Sequence, residues 1–361
     1  MSCIQMINNC YDYKINQVPF ISLWQHYEQV QFLYPAKKNR IKPVMSLVAQ
    51  NWQKALQAGD QLLWIASSHR DGLKKMATIS LWRSTSNGWV AQHLTSSAGP
   101  EYVRNILMGT QLHAIENQYR SGQNWFQPTN KYASRIFGSI EQSIGKKYAH
   151  VDNYGYFFLP RNKWLPDNPN ISIVRCKKYN QTLVDFLLDT MGSVYIVTEE
   201  WDQEDIELSQ LNELYQNYGL FRYRRVWMAF SKDCGDYPAG AIIAYRGPLG
   251  LNFSLMENRM DLILNPALKV KSCSAVSAKL IRKAIHAYLN DYELESIPVL
   301  LRKKSPGMLK QLDIEFIRMY NKSSWVNKGF EPWCHHIANF FSILNKKFVS
   351  TKRRMNLEQN R

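Results

Sequence analysis

Apolar residues recur with two different periods along this chain, and the changes of period mark out its elements. Tyr11 to Val18 alternates as a strand does, while Ser22 to Tyr34 and Val44 to Ala58 carry apolar side chains at helical spacing, the second closed by Gly59-Asp60. Leu62 to Ser67, Lys75 to Arg83 and Trp89 to Thr95 read as three strands, and Asn87-Gly88 gives the last two a tight hairpin turn. A helix follows at Pro100, where a first-turn proline is tolerated and Glu101 complements the helix dipole; Val103, Ile106, Leu107 and Leu112 begin its apolar stripe. Beyond it the pattern predicts a strand over Trp125 to Thr129, a helix over Tyr132 to Ile144 ended by Gly145, and an aromatic strand over Tyr148 to Leu159. Pro160, Pro166 and Pro169 then give the following stretch linker chemistry.

The same order returns in the second half. Ile171 to Arg175 is strand-like, Gln181 to Met191 and Glu204 to Tyr218 are helical, and Arg225 to Ser231 and Ala239 to Arg246 are strands about the turn Asp233-Cys234-Gly235-Asp236. Arg259 to Leu264 is a strand, Ser274 to Leu289 a helix, Ile297 to Arg302 a buried-type strand, Pro306 to Phe316 a short helix and Phe316 to Trp325 a last strand. One order met twice suggests duplication. The expected organisation is an N-terminal domain over 1–162, a linker over 163–170, a C-terminal domain over 171–345 and a basic, flexible tail over 346–361. Ile337, Phe340, Phe341, Leu344 and Phe348 fall on one helical face. Such a helix docks on the second domain, in a partner's groove or on an anionic membrane.

Composition narrows the class. At 361 residues and 45% hydrophobic, the chain has material for two cores, which excludes global disorder. Its longest apolar runs, such as Leu62 to Ala66, are of strand length, so no membrane-crossing helix is expected. The first ten residues have neither the basic segment nor the apolar run of a signal peptide, and the expected compartment is the cytoplasm. Six scattered cysteines without a C-x-x-C pair argue against a disulfide framework or zinc ribbon; Cys334-His335-His336 lacks a second ligand pair, so no metal is expected.

The net charge of +16 is uneven: residues 1–165 hold 18 Lys plus Arg against 8 Asp plus Glu, and residues 346–361 hold 6 against 1. A basic first domain and tail attract phosphate-bearing partners, whether an acidic protein, nucleic acid, an anionic lipid surface or a cofactor such as coenzyme A. The run Arg222-Tyr223-Arg224-Arg225 mixes basic and aromatic side chains as a nucleic-acid surface does, although before a strand it reads more simply as an exposed sheet entry.

The region from Arg259 to Trp325 resembles the GCN5-related N-acetyltransferase (GNAT) family. Met260-Asp261-Leu262-Ile263-Leu264-Asn265-Pro266 is similar to the family's fourth strand, Ala278 to Ala284 to its cofactor-facing helix, Ile297-Pro298-Val299-Leu300-Leu301 to its fifth strand and Met308 to Leu312 to its short helix. The resemblance implies an α/β fold of two tandem GNAT-like domains, each a mixed, mostly antiparallel sheet flanked by helices. It also implies an acyl-CoA, acetyl-CoA or longer, whose arm enters where strands four and five splay apart. Its pyrophosphate would meet backbone N–H groups at the start of the next helix, a turn that favours small residues and the positive end of a helix dipole.

Carried over to the second half, that cofactor site comprises Leu264 at the strand end and Lys269, Val270, Lys271, Ser272, Cys273, Ser274 and Ala275 in the turn, which keeps small residues but lacks the family's glycines. The first half's turn, Ser96-Ser97-Ala98-Gly99-Pro100-Glu101, keeps one glycine but sets an acid where the anion would sit. The second half is therefore the better cofactor candidate. The family's tyrosine acid, which protonates the departing thiolate, aligns with Leu309 in the second half and Glu141 in the first, leaving the catalytic residue unassigned. Tyr288, Tyr292 and Tyr320 are alternative phenols. Asp261, Glu257 and Glu101 are candidate bases, and Cys273 is a candidate acyl-accepting thiol. Two functions follow: acyl transfer to an amine, or an inactive adaptor that keeps the fold and binds a protein or nucleic-acid partner.

Overall fold

The computed structural model describes residues 11–70, 75–290, 292–302, 309 and 311–359, the side chains of residues 70 and 345–359 excepted. Twelve strands form one sheet. In chain order they are β1 (Lys14–Ile15), β2 (Leu63–Arg70), β3 (Lys75–Arg83), β4 (Gly88–Ser96), β5 (Ser121–Phe126), β6 (Ala149–Pro160), β7 (Ile171–Cys176), β8 (Tyr223–Ser231), β9 (Gly240–Arg246), β10 (Met260–Leu264), β11 (Ser296–Arg302) and β12 (Glu315–Val326). Their lateral order is β1-β2-β3-β4-β5-β12-β6-β11-β10-β9-β8-β7. Only β4–β5 and β10–β11 run parallel; every other neighbouring pair of these strands is antiparallel, as expected for a mixed, mostly antiparallel sheet.

Within each half the order matches the GNAT scheme: an antiparallel run of four strands, then a fifth strand added in parallel after a long helix. Those crossover helices are α4 (Pro100–Glu116) and α10 (Val270–Ile285), since a parallel pair needs a connection that returns the chain to its starting end. α1 (Phe20–Gln29), α2 (Pro35–Ile41) and α3 (Met45–Gln57) precede β2; α5 (Lys131–Ile136) and α6 (Ile140–Ile144) follow β5. α7 (Gln181–Met191), α8 (Ser193–Thr198) and α9 (Ser209–Asn217) precede β8, and α11 (Phe330–Gln359) closes the chain. Of the short helix expected over 306–316, residues 306–308 and 310, Met308 and Lys310 included, lie outside the described residues; 311–313 form a turn and Glu315 already opens β12, so the helix does not reach Phe316.

The sequence pattern did not reveal how the halves join. β6, the last strand of the first half, pairs with β11; β12, the last strand of the second half, lies between β5 and β6. Each half thus contributes its final strand to the other's side of the sheet. The seam is the longest pairing, running from Glu315 opposite Phe158 to Trp325 opposite Ala149.

Three sequence expectations change in the fold. The terminal helix docks on the first half, where Trp333, Ile337 and Phe341 join a core with Ile106, Leu107 and Trp64; the strand exchange delivers the chain to that side. It continues to Gln359 as helix, across part of the stretch read as a flexible tail, whose basic side chains and Phe348 lie outside the described ones. Arg222 and Arg224 are not at an exposed sheet entry: both are buried. Arg224 donates to the carbonyls of Glu199 and Ile206 at 2.6 Å and lies 4.0 Å over the Trp201 ring.

The central junction carries a buried ion pair between Lys322 of β12 and Glu199, each almost wholly inaccessible. Burial would raise the Glu199 carboxyl, but Lys322, Arg259 and Arg224 override it and hold the group down at about 2. Glu200 beside it accepts from the backbone N–H groups of Ser86 and Asn87, clasping the first half's hairpin.

Candidate active site: two clefts in one sheet

In the first half, β4 and β5 are in register only from Gly88–Ser121 to Ala91–Asn124. β4 then leaves the ladder because His93 and Leu94 together face Ile79 of β3, a bulge in which His93 takes φ 54°. The strands part beyond this point around a cavity of ≈ 280 Å³. In the second half, β10 and β11 are in register only from Met260–Val299 to Leu262–Leu301, and a cavity of ≈ 340 Å³ opens beyond Leu262.

The second cleft combines aliphatic walls with Asp189, Thr190, Asn265 and Arg302. Leu264 and Cys273, both expected at the site, line it together with Leu262, Leu268 and Leu301. Lys269, Val270, Lys271, Ser272, Ser274 and Ala275 occupy the start of α10, with Lys269 as its N-cap, no side-chain cap and no acid in the first turn. Lys269, Val270 and Lys271 are exposed. The hydroxyls of Ser272 and Ser274 are already engaged, at 2.5 Å from Asp233 and Gln311 respectively. Cys273 is buried with its sulfur 3.7 Å from the Leu268 carbonyl, and burial raises its thiol pKa, the opposite of an activated nucleophile. Arg302 at the mouth donates to the Thr190 carbonyl and pairs with Asp152 at 2.6 Å. Leu309 is fully buried in the core, and Asp313 is exposed and bonded to Lys163 at 2.6 Å.

The first cleft is polar and aromatic, and both halves build it. Asn252 and Ser254, from the loop between β9 and β10, reach its wall. That loop is anchored on the first half: Trp52 and Asn51 of α3 donate to the carbonyls of Gly250 and Leu249 at 2.8 and 3.0 Å. Gly250 is required there, because φ of 83° and the methyls of Val48 leave no room for a side chain. Asn252 donates to Gln92 at 2.5 Å, and Gln92 to the Leu251 carbonyl at 2.7 Å.

His93 accepts from the Phe253 N–H on Nε2 at 3.3 Å, which leaves Nδ1 to donate to Ser80 at 3.1 Å. Burial, with Lys37 nearby, keeps its pKa well below the usual histidine range. It is a neutral ring with both nitrogens committed, and its contribution to the cleft is the bulge in its backbone. Tyr320, one of the alternative phenols, reaches this cavity from the exchanged strand and donates to Ser254 at 3.1 Å. Tyr288 and Tyr292 do not, since their hydroxyls bond backbone carbonyls in the second half's core.

Tyr132 was missed. The helix expected over 132–144 breaks at Phe137–Ser139 into α5 and α6, and it is α5, directly after β5, that lies against the cleft. Tyr132 lines the cavity; its hydroxyl is sealed from bulk water without a hydrogen-bond partner among the described residues, and burial raises its pKa. Glu141, aligned on the family tyrosine, instead accepts from the Val151 N–H at 3.0 Å and pairs with His150. Tyr132 stands nine positions upstream of Glu141, and the break at Phe137-Gly138-Ser139 separates its helix from that of Glu141.

The candidate bases are engaged elsewhere. Asp261 holds Arg259 in a bidentate pair at 2.8 and 3.0 Å; Glu257 is buried, accepts from the Gly250 N–H at 3.0 Å, and burial pushes its pKa up to about 8. Glu101 folds back over Gly99, its carboxylate covering the first turn of α4. The described residues contain no cluster of three or more His, Cys, Asp or Glu able to hold a metal, and no helix long and apolar enough to cross a membrane.

No family model and no curated protein matches the chain. Among solved structures, a tandem GNAT protein from the clavulanic acid biosynthesis pathway is similar at 10% identity, over 77% of this chain and 87% of its own, with a TM-score of 0.38. A Drosophila protein is 13% identical over 88% and 99%, with a TM-score of 0.43, and a GNAT from Sphaerobacter thermophilus 9% identical over 74% and 81%, with 0.35. At these values the likenesses are faint, and the strand order described above carries the fold.

Proposed function

We propose that this protein is an acyl-CoA-dependent N-acyltransferase whose chemistry takes place in the cavity between β4 and β5. The observation that carries this reading is Tyr132: a phenol on the helix after the fifth strand, lining the cleft, with no partner for its hydroxyl among the described residues. A buried donor without a partner costs roughly 1–3 kcal/mol, so its retention there points to a group that arrives with the ligand. In the reaction an amine attacks the thioester carbonyl, the C–N bond forms and the C–S bond breaks. Tyr132 would give its proton to the departing thiolate and recover one from the nitrogen as the amide forms, and the bulge at His93 would free a strand N–H to receive the carbonyl oxygen.

A second reading places the acyl-CoA in the β10–β11 cleft, with its pyrophosphate at Lys269 to Ala275. The start of α10 favours it, having no side-chain cap and no acid of its own in the first turn, although Asp233 holds Ser272 there, whereas Glu101 covers the start of α4. Thermal unfolding with acetyl-CoA and longer acyl-CoAs tests both. A donor at about 100 times its dissociation constant stabilises the fold by roughly 2.7 kcal/mol. Loss of that shift in Lys269→Ala/Lys271→Ala would assign the donor to the second cleft, and its persistence to the first. No shift with any acyl-CoA would overturn the acyltransferase reading altogether.

A further inference from the structure

The first cleft has an unusual charge balance. Lys37 of α2 lines it and is only 7% exposed, yet forms no ion pair among the described residues. Its ammonium rests 3.8 Å from the centre of the Phe32 ring. Two more cations stand near it: the Arg318 guanidinium, which donates to the Tyr34 hydroxyl at 2.8 Å, and Arg40, stacked 4.1 Å over Phe158. No Asp or Glu is among the described residues that line the cavity. Burial, reinforced by Arg318 and Arg40, lowers the Lys37 pKa to about 7. A buried ammonium beside two like charges is stabilised by an anion brought in from outside.

A second observation concerns the opposite need. Asn124 of β5, 4% exposed, lines the same cavity. Its amide donates to the Ala91 carbonyl at 2.8 Å, while its Oδ1 is buried without a partner. That oxygen is an acceptor waiting for an N–H, as an attacking amine would supply. At ≈ 280 Å³ the space suits a molecule of amino-acid size and is too small for a nucleotide.

We infer that the acceptor is a small amine that also bears a carboxylate, an amino acid or close analogue, with Lys37 holding the carboxylate and Asn124 the amine. This rests on the acyl-transfer reading for its chemistry but not for its binding test. That test is calorimetric titration of the full chain with the twenty amino acids and, as matched probes, their carboxamides, without any acyl donor.

At least one amino acid should bind while its carboxamide binds about tenfold more weakly or worse, as expected when a desolvated ammonium faces a neutral amide in place of a carboxylate. Lys37→Met, which keeps the length of the side chain, should erase that preference. If Lys37→Met does not fold, Lys37→Gln is read the same way. Equal binding of acids and amides, or binding of none of them, overturns the inference. With acetyl-CoA added, release of free thiol only in the presence of the bound amino acid then tests acyl transfer. Binding without turnover sinks the acyltransferase reading alone.

Discussion

The two clefts arise from the same local geometry, a parallel pair of strands that lose register after three or four residues, yet they differ in contents. The β10–β11 cleft sets Leu262, Leu264, Leu268 and Leu301 beside Asp189, Asn265 and Arg302 and has a helix start with no acid of its own in the first turn, with Leu309 where the family resemblance would put a phenol. The β4–β5 cleft has Tyr132, a buried lysine and a bulged strand, but a carboxylate over its helix start. Anion-friendly and reactive features, found in one site in the family pattern, are here divided between two. The first cleft depends on the other half, since Tyr320 of the exchanged strand and the loop carrying Asn252 and Ser254 complete it, whereas the described lining of the second comes from the second half.

The strongest way to break the comparison is at the seam. Lys322→Met leaves Glu199 charged and unpaired in the interior, at an expected cost of about 3–5 kcal/mol in chemical denaturation, with one cooperative transition for both halves. Two separate transitions would mean that the clefts belong to independent units. The wild-type pair also sets a pH dependence. The Glu199 carboxyl is held at about 2, below its ordinary 4.5, so its contribution is fully present above pH 4.5 and is lost as pH falls toward 2.

Next in size is Tyr132→Phe, which should slow acyl transfer by about 100-fold while leaving stability unchanged or slightly higher, because the hydroxyl has no partner among the described residues to lose. A full-rate variant would remove the chemistry from the first cleft. The smallest effect is expected from Glu101→Gln: a loss of about 0.3–1 kcal/mol from the dipole of α4, accompanied by tighter binding of inorganic pyrophosphate if that carboxylate is what closes the anion site. No gain in pyrophosphate binding would mean that Glu101 does not distinguish the two helix starts.

Much of the fold was legible from periodicity and turn chemistry. The Asn87-Gly88 hairpin, the helix opening at Pro100 and the helix following β10 all lie close to where the pattern put them, because each depends on interactions only a few residues apart. The second cleft could be read in the same way, since Leu264, the turn and α10 are contiguous in sequence. The first cleft could not. It draws on Lys37, His93, Tyr132, Asn252 and Tyr320, separated by nearly the whole chain, and none carries a local signature. Arg222 to Arg225 misled for a related reason: a basic run looks exposed until Ser84, Asn212, Glu199 and Ile206 supply its buried partners.

The sequence by itself determined the elements, their repeated order and the small-residue turn before α10, all consequences of backbone preference and apolar spacing over short distances. Only the tertiary structure decided that β6 and β12 change places, that the terminal helix covers the first half, and that a break at Phe137–Ser139 brings Tyr132 to the cleft. Either order of the two final strands buries similar apolar faces and satisfies the same hydrogen bonds, so the alternation pattern cannot choose between them. The choice falls to long-range interactions such as Lys322 with Glu199 and the docking of α11, which exist only once the sheet is assembled.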